Sequence, residues 1–352
     1  MKEKISNFEN IKKTHNSMMA RSFSPPWWAK NPHIQTILPV LTMVDPPQLS
    51  RQRLELSDGD FIDLDWVNDP HSIDKSTGKS PDSIIVILHG LEGSSGSHYV
   101  RRLLNDCHRL GLCAVVHHHR GCSGEPNRLA RSYHSGDTQD MSETFAYLQQ
   151  QFPQAKLCAV GYSLGGNALT KYLGELQADS AIDRAVVVSA PLQLSACAKR
   201  LEKGFSTLYQ WHLIKALREK LTAKFNQGTV VDQASVTLQQ VDTLKTFYQF
   251  DHKVTAPLHG FAGVDDYYAK ASGLGSLLKI KRPTLVIHAA DDPFMNEEVI
   301  PSADQCSADV TYELHQHGGH MGFIDGGSLF KPRYYLEQRV ISFLMESDEG
   351  CG

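Results

Sequence analysis

The sequence predicts an α/β protein built on a mostly parallel sheet with helices on both faces, and two patterns carry that expectation. Short continuous apolar runs recur, among them "SIIVIL", "LCAVV", "KLCAV", "RAVVV" and "PTLVI". Such runs, closed by glycine, proline or polar residues, mark strands buried on both faces. Between several of them lie stretches of helical periodicity, near Tyr99 to Leu110, Thr138 to Gln151 and Gly165 to Gln177. Parallel neighbours need crossovers of this kind, because a tight turn brings the chain back antiparallel.

With 352 residues, 41% of them hydrophobic, the chain is long enough for one large domain carrying an insertion. Residues 1–50 read as an N-terminal segment packing on the core. The start, "MKEKISNFENIKKTHNSMMARSF", is basic but has no continuous apolar stretch, so it does not read as a secretory signal. No stretch of the chain approaches the roughly 18 apolar residues of a membrane span. The most apolar early piece, "SPPWWAKNPHIQTILPVL", reads as a strap over the core, with an interfacial or acyl-chain contact for Trp27 and Trp28 as the sharper alternative.

Residues 51–191 read as the first part of the core. "QRLELSD" and "DFIDLDWV", separated by Asp58-Gly59, form a tight hairpin. The polar stretch "NDPHSIDKSTGKSPDS" is a surface loop, and four strands alternate with helices after it. The alternation breaks over residues 192–282, where "LYQWHLIKALREKLTAKF" is typical and a helical cap is expected. With Phe205, Leu208, Tyr209, Trp211 and Phe225 it is the natural lid and acyl-binding wall, although most of those aromatics are expected in the cap's own core. Residues 283–352 return to the sheet with "PTLVIHAA" and "DVTYELHQ", and "PRYYLEQRVISFLM" reads as a closing helix. The sum is about eight strands with a cap inserted after the sixth.

Charge and cysteine content exclude several classes. The 35 basic and 39 acidic residues are interspersed and leave a net charge of −4, which does not suit a nucleic-acid partner. Seven cysteines without a C-x-x-C pair fit neither a zinc ribbon nor a disulfide scaffold, and they suit a reducing cytoplasm.

The chemistry centres on "AVGYSLGGN", which sets Ser163 in G-x-S-x-G between an apolar strand and a helix. A strand-to-helix turn this sharp strains the serine backbone, and side chains at Gly161 or Gly165 would clash with their surroundings. Neither G-K-[ST] nor G-x-G-x-x-G occurs at this turn to suggest a phosphate cradle. A serine nucleophile needs a base, and the base an orienting acid. "HQHGGHMGF" follows the last strand and offers His315, His317 and His320. The first two lie at the strand end and read as structural, whereas His320 sits in a glycine-flanked loop free to reach Ser163. No acid follows the sixth strand, but Asp291 and Asp292 follow the seventh. "LHGLEGSSGS" suits a loop presenting the Leu91 N–H to an oxyanion, with the Leu164 N–H as second donor.

Serine, aspartate and histidine in this order are those of an α/β-hydrolase. "HIQTILP", "RLELSDGDFIDLDW", "HGLEGSSGSHY", "HRGCSGEPNR", "YHSGDTQD", "VGYSLGGN", "IHAADDPFM" and "HGGHMGF" together resemble the YheT-type hydrolases, the AB hydrolase-4 family, which includes eukaryotic ABHD-type lipid esterases. The likeness runs from about His33 to the C-terminal helix, and "HHHRG" departs from it. It implies an α/β-hydrolase fold and a carboxylic ester hydrolase for short- to medium-chain acyl esters, acylglycerols included. Ser163 is then the nucleophile, His320 the base and Asp292 the relay acid. Pro293 agrees, since it holds the residue before it extended, while Asp291 suits backbone N–H bonds in the turn.

The expected partner is a small-molecule ester, with no cofactor and no metal. Acyl transfer to an alcohol through the same acyl-enzyme is the adjacent alternative. A metallohydrolase using the H-x-H-x-x-H of "HQHGGH" with His117, His119 and Asp291 is a weaker one. That motif lacks the acidic residue a metallo-β-lactamase places between its histidines. A non-catalytic binding scaffold would show a degraded triad, and here all three members are present.

Overall fold

The apolar runs become strands because helices cover both of their faces. In the computed structural model, which describes residues 22–71, 81–229 and 234–346, β1 (Ser50–Glu55), β2 (Phe61–Val67), β3 (Ser83–Leu88), β4 (Cys113–His117), β5 (Lys156–Tyr162), β6 (Arg184–Val188), β7 (Thr284–Ala289) and β8 (Val310–His315) form one sheet. Its order is β1-β2-β4-β3-β5-β6-β7-β8. The first two strands pair antiparallel, and β3 to β8 run parallel.

Alternation along each strand divides the core in two. Ile84, Val86 and Leu88 of β3 join one cluster, with residues of α3 (Gln139–Gln151) and α4 (Leu164–Leu176). Ile85 and Ile87 join the other, with residues of α2 (His98–Leu110) and the C-terminal helix (Leu336–Leu344). The result is three layers, helix, sheet and helix.

Register sets the loops that matter side by side. Leu88 pairs with Gly161, so the loops leaving β3 and β5 start as neighbours. Ala289 pairs with His315, which does the same for the loops after β7 and β8. All four leave the carboxyl edge, near the strand β3 at which the chain changes direction across the sheet. This is the usual ligand crevice of an open α/β sheet.

Two stretches outside the cap differ from expectation. The apolar strap contains a true helix, α1 (Pro32–Leu41), whose cap Asn31 accepts from the N–H groups of His33 and Ile34. Pro39 lies inside it, which is why the sequence does not read as helical there. "PRYY" is not helix: β9 (Ile324–Ser328) and β10 (Lys331–Tyr334) make a separate hairpin ahead of a helix that starts at Leu336. Glycines at 326 and 327 give β9 no strand propensity, yet the Arg333 guanidinium lies where a side chain at 326 would go.

Between β6 and β7 run α5 (Leu194–Leu201), α6 (Ser206–Asn226) and α7 (Val264–Ala271). A helical run through Phe247–Phe250, a π-turn at Asp251–Thr255 and Ala256–Leu258 precedes α7. Phe225 packs against a small core of this segment. Phe205, Leu208 and Trp211 do not: all three are about half exposed, at 49%, 50% and 58%.

Candidate active site

Ser163 occupies the turn between β5 and α4 with φ 49° and ψ −117°, a conformation an L-residue holds only when its surroundings impose it. Its N–H donates to the Val188 carbonyl at 2.9 Å, which ties the turn to β6. A Cβ at Gly161 would lie 2.6 Å from the Gly165 carbonyl oxygen, and one at Gly165 would lie 2.5 Å from that of Leu88. The glycines of the motif are therefore required by close packing of helix on strand.

His320 Nε2 lies 3.1 Å from Ser163 Oγ, and His320 Nδ1 lies 2.8 Å from Asp292 Oδ2. A carboxylate only accepts, so Nδ1–H donates to Asp292 and leaves Nε2 to receive the serine proton. Asp292 Oδ1 accepts the Phe294 N–H at 2.8 Å, and the Phe294 ring stacks on His320 with centroids 3.9 Å apart. Both His320 and Asp292 are buried. The Thr36 hydroxyl on α1 accepts the His320 backbone N–H at 3.0 Å.

Asp291 faces elsewhere. It accepts the Gly319 N–H at 3.0 Å and lies 3.2 Å from His317 Nδ1, so it shapes the loop that carries His320. Burial pushes its carboxyl above the ordinary range. His315 packs against the rings of Phe23, Phe323 and Tyr335.

The loop after β3 lies against the serine, since a Cβ at Gly90 would stand 3.2 Å from that of Ser163. It is fixed on both sides of Leu91. The Gly90 N–H donates to Tyr99 OH at 2.8 Å, and the Glu92 N–H donates to Tyr133 OH at 2.8 Å. Glu92 holds φ 54°. Its carboxylate accepts from Tyr133 OH at 2.7 Å and pairs with Lys220 Nζ of α6 at 2.9 Å. Among the described residues the N–H groups of Leu91 and Leu164 have no acceptor, and both side chains pack on Cys122 and Tyr133.

A cavity of about 360 Å³ opens onto Ser163 and His320, within the range of small-molecule sites. Its walls are chiefly apolar, with Leu194, Ala198, Leu201, Leu213, Phe247 and Met295 prominent. Of the aromatics expected in the cap core, Phe225 packs there, whereas Phe205 and Trp211, like Leu208 between them, neither line the cavity nor are buried.

A family model of the α/β hydrolase fold matches residues 83–327. YheT of Escherichia coli (strain K12) is 42% identical over 325 residues, covering 92% of each chain. The chain belongs to the YheT-type α/β-hydrolases. The phospholipase ABHD3 of Mus musculus is 29% identical and covers 91% of this chain and 77% of its own. The esterase Pf2001 of Pyrococcus furiosus superposes with a TM-score of 0.48 at 15% identity, over 78% of this chain and 90% of that one.

Several motifs of this hydrolase support the site from outside it. Gln35 of "HIQT" donates to the Ala29 and Ile324 carbonyls and accepts the Ile324 N–H, which anchors α1 to the histidine loop. In "HRGCSGEPNR", buried Arg120 pairs with Asp60 at 3.0 Å and Asp140 at 2.7 Å, and Asn127 donates to Asp60 at 2.7 Å. Burial and neighbouring histidines hold His89 and His117 neutral, and His119 is lowered to about 4. His117 bonds Thr144, and His119 bonds the His89 carbonyl.

The ligand set of the metallohydrolase alternative therefore does not converge. Among the described residues, the one group of three with potential ligand atoms within 4.8 Å of one another is His134, Asp137 and His259. There the Arg131 guanidinium already pairs with Asp137 at 2.9 Å. No disulfide joins the six described cysteines, and no described helix is long and apolar enough to cross a membrane.

Sequence reasoning missed Thr36, Phe294 and the Glu92–Tyr133–Lys220 cluster. Only "HIQTILP", quoted for its likeness to a family, carried a signal for the first.

Proposed function

We propose that the protein is a serine hydrolase that cleaves carboxylic esters with short to medium acyl chains, acylglycerols among them. The observation that carries this reading is the continuous chain Ser163–His320–Asp292, with contacts of 3.1 and 2.8 Å, at an apolar cavity bordered by two N–H groups that have no acceptor among the described residues. Ser163 Oγ attacks the ester carbonyl while its proton passes to His320 Nε2. Asp292 holds the tautomer and stabilises the imidazolium. The Leu91 and Leu164 N–H groups receive the oxyanion, each such donor lowering the barrier by about 3 kcal/mol.

His320 then returns the proton to the departing alcohol. Water, deprotonated by the same nitrogen, releases the acid from Ser163. The buried walls around His320 keep the imidazole's partners fixed, so little reorganisation accompanies the charge transfer. Relatives named as phospholipase and monoacylglycerol lipase support an acyl ester as substrate. The test is hydrolysis of p-nitrophenyl butyrate and caprylate by the wild type and by Ser163→Ala. The wild type turns both over and the variant neither; full activity in the variant defeats the scheme.

A further inference from the structure

The cavity that holds Ser163 carries, among the described residues, one carboxylate that no cation meets. Two of the side chains lining it are acids, Glu92 and Asp251, and none is a lysine or an arginine. Glu92 pairs with Lys220 at 2.9 Å. Asp251 is buried and has no ion pair among the described residues: Oδ1 accepts the Thr255 hydroxyl at 2.6 Å, and Oδ2 accepts the Tyr268 hydroxyl at 2.8 Å.

Those two bonds do not require a charge. A neutral amide at 251 would serve the same hydroxyls, whereas an ionised carboxylate taken out of water is costly unless a cation meets it. Burial lifts the Asp251 carboxyl to about 6, against the pull of Thr255 and Tyr268, so at neutral pH the group is still mostly ionised. A smaller cavity of about 100 Å³ also borders Asp251, but its basic side chains are committed elsewhere. Lys224 donates to the carbonyls of Leu129, Ala130 and Arg131, and Lys220 faces Glu92. Burial holds His134 and His259 neutral, the latter lowered to about 3.

The neighbours of this carboxylate in the catalytic cavity are rings. Phe247 and, from α7, Tyr267 and Tyr268 line the same cavity and pack in one cluster, with the two tyrosine rings 5.4 Å apart. Asp251 itself opens the π-turn Asp251–Thr255, a departure from α-helical geometry that is frequent at functional sites. A carboxylate among aromatic rings suits a quaternary ammonium: the ring faces attract the cation, the carboxylate balances its charge, and the cation asks for no hydrogen-bond acceptor. The last point matters because each Asp251 oxygen already accepts a hydroxyl.

We propose that the cavity takes esters whose alcohol part carries a quaternary ammonium group, held by Asp251 with Phe247, Tyr267 and Tyr268. The acyl chain then lies on the apolar walls at Leu201, Leu213 and Met295. The substrate class rests on the ester-hydrolase reading, whereas the cation site does not. An Asp251 with only a structural role would be indifferent to the charge of the ligand.

The test compares butyrylcholine with its uncharged isostere 3,3-dimethylbutyl butyrate by calorimetric titration of the Ser163→Ala chain, which binds esters without cleaving them. The choline ester binds about tenfold more tightly or better, and adding Asp251→Asn brings the two dissociation constants to within about twofold of each other. Equal affinities in the Ser163→Ala chain overturn the proposal whatever the second substitution does. A preference that survives Asp251→Asn overturns it as well. Wild type that cleaves p-nitrophenyl butyrate, with no preference for the ammonium in the Ser163→Ala chain, defeats this inference alone. Preference for the choline ester in that chain, with no ester cleaved by the wild type, upholds the cation site and defeats the catalytic reading.

Discussion

Asn substitutions at 291 and 292 separate two neighbouring carboxylates by what each one holds. Asp292 accepts His320 Nδ1–H at 2.8 Å and the Phe294 N–H at 2.8 Å, so both of its oxygens face donors. An amide cannot replace it in either orientation. With its NH2 toward His320 it stabilises the imidazole protonated at Nε2, which cannot take the Ser163 proton. Turned the other way, its NH2 opposes the Phe294 N–H in a buried site. We expect Asp292→Asn to lower kcat by roughly 10⁴, or about 5 kcal/mol of barrier.

Asp291→Asn keeps an oxygen for the Gly319 N–H, at 3.0 Å in the wild type, and loses only charge assistance there and at half-exposed His317. That is about 1 kcal/mol, or less than roughly tenfold in kcat. The assay is kcat/KM on p-nitrophenyl butyrate, with thermal unfolding to confirm that both variants fold. Equal losses, or a larger loss at 291, would refute the assignment of Asp292.

Three further outcomes follow from the packing. Gly165→Ala drives a methyl into the Leu88 and His89 carbonyls and costs about 1–3 kcal/mol of stability by urea unfolding; an unchanged midpoint contradicts the close packing. Lys220→Met removes the cation from Glu92 and loosens the Leu91 N–H, so kcat falls by up to roughly a hundredfold while KM changes little, and Lys220→Arg restores part of it. A raised KM with unchanged kcat would break the link to the oxyanion. Burial lifts Asp251 to about 6, so its neutral form stabilises the fold at low pH, and that contribution is lost as pH rises through 6. Relative to Asp251→Asn, the wild type therefore loses up to about 3 kcal/mol between pH 4 and pH 8, and a pH-independent difference contradicts this.

The sheet was legible because each inner strand is apolar on both faces, a pattern that needs no knowledge of the partner strand. The Ser163 turn was legible for a related reason: its strain and its close packing demand glycines at fixed spacing. Features that depend on distant partners were not. Thr36 and His320 meet across 284 positions, and Lys220 and Glu92 across 128. The β9–β10 hairpin is held by an arginine over glycines rather than by strand formers. Phe205, Leu208 and Trp211 keep helical periodicity, but periodicity does not say which face is covered, and here the apolar stripe is open.

Reaction with a fluorophosphonate followed by peptide mass spectrometry reads out whether Ser163 is the nucleophile that His320 activates. The adduct should map to Ser163 alone and should form far more slowly in His320→Ala, with no reaction in Ser163→Ala. Labelling at another residue, or undiminished labelling in either variant, would contradict it.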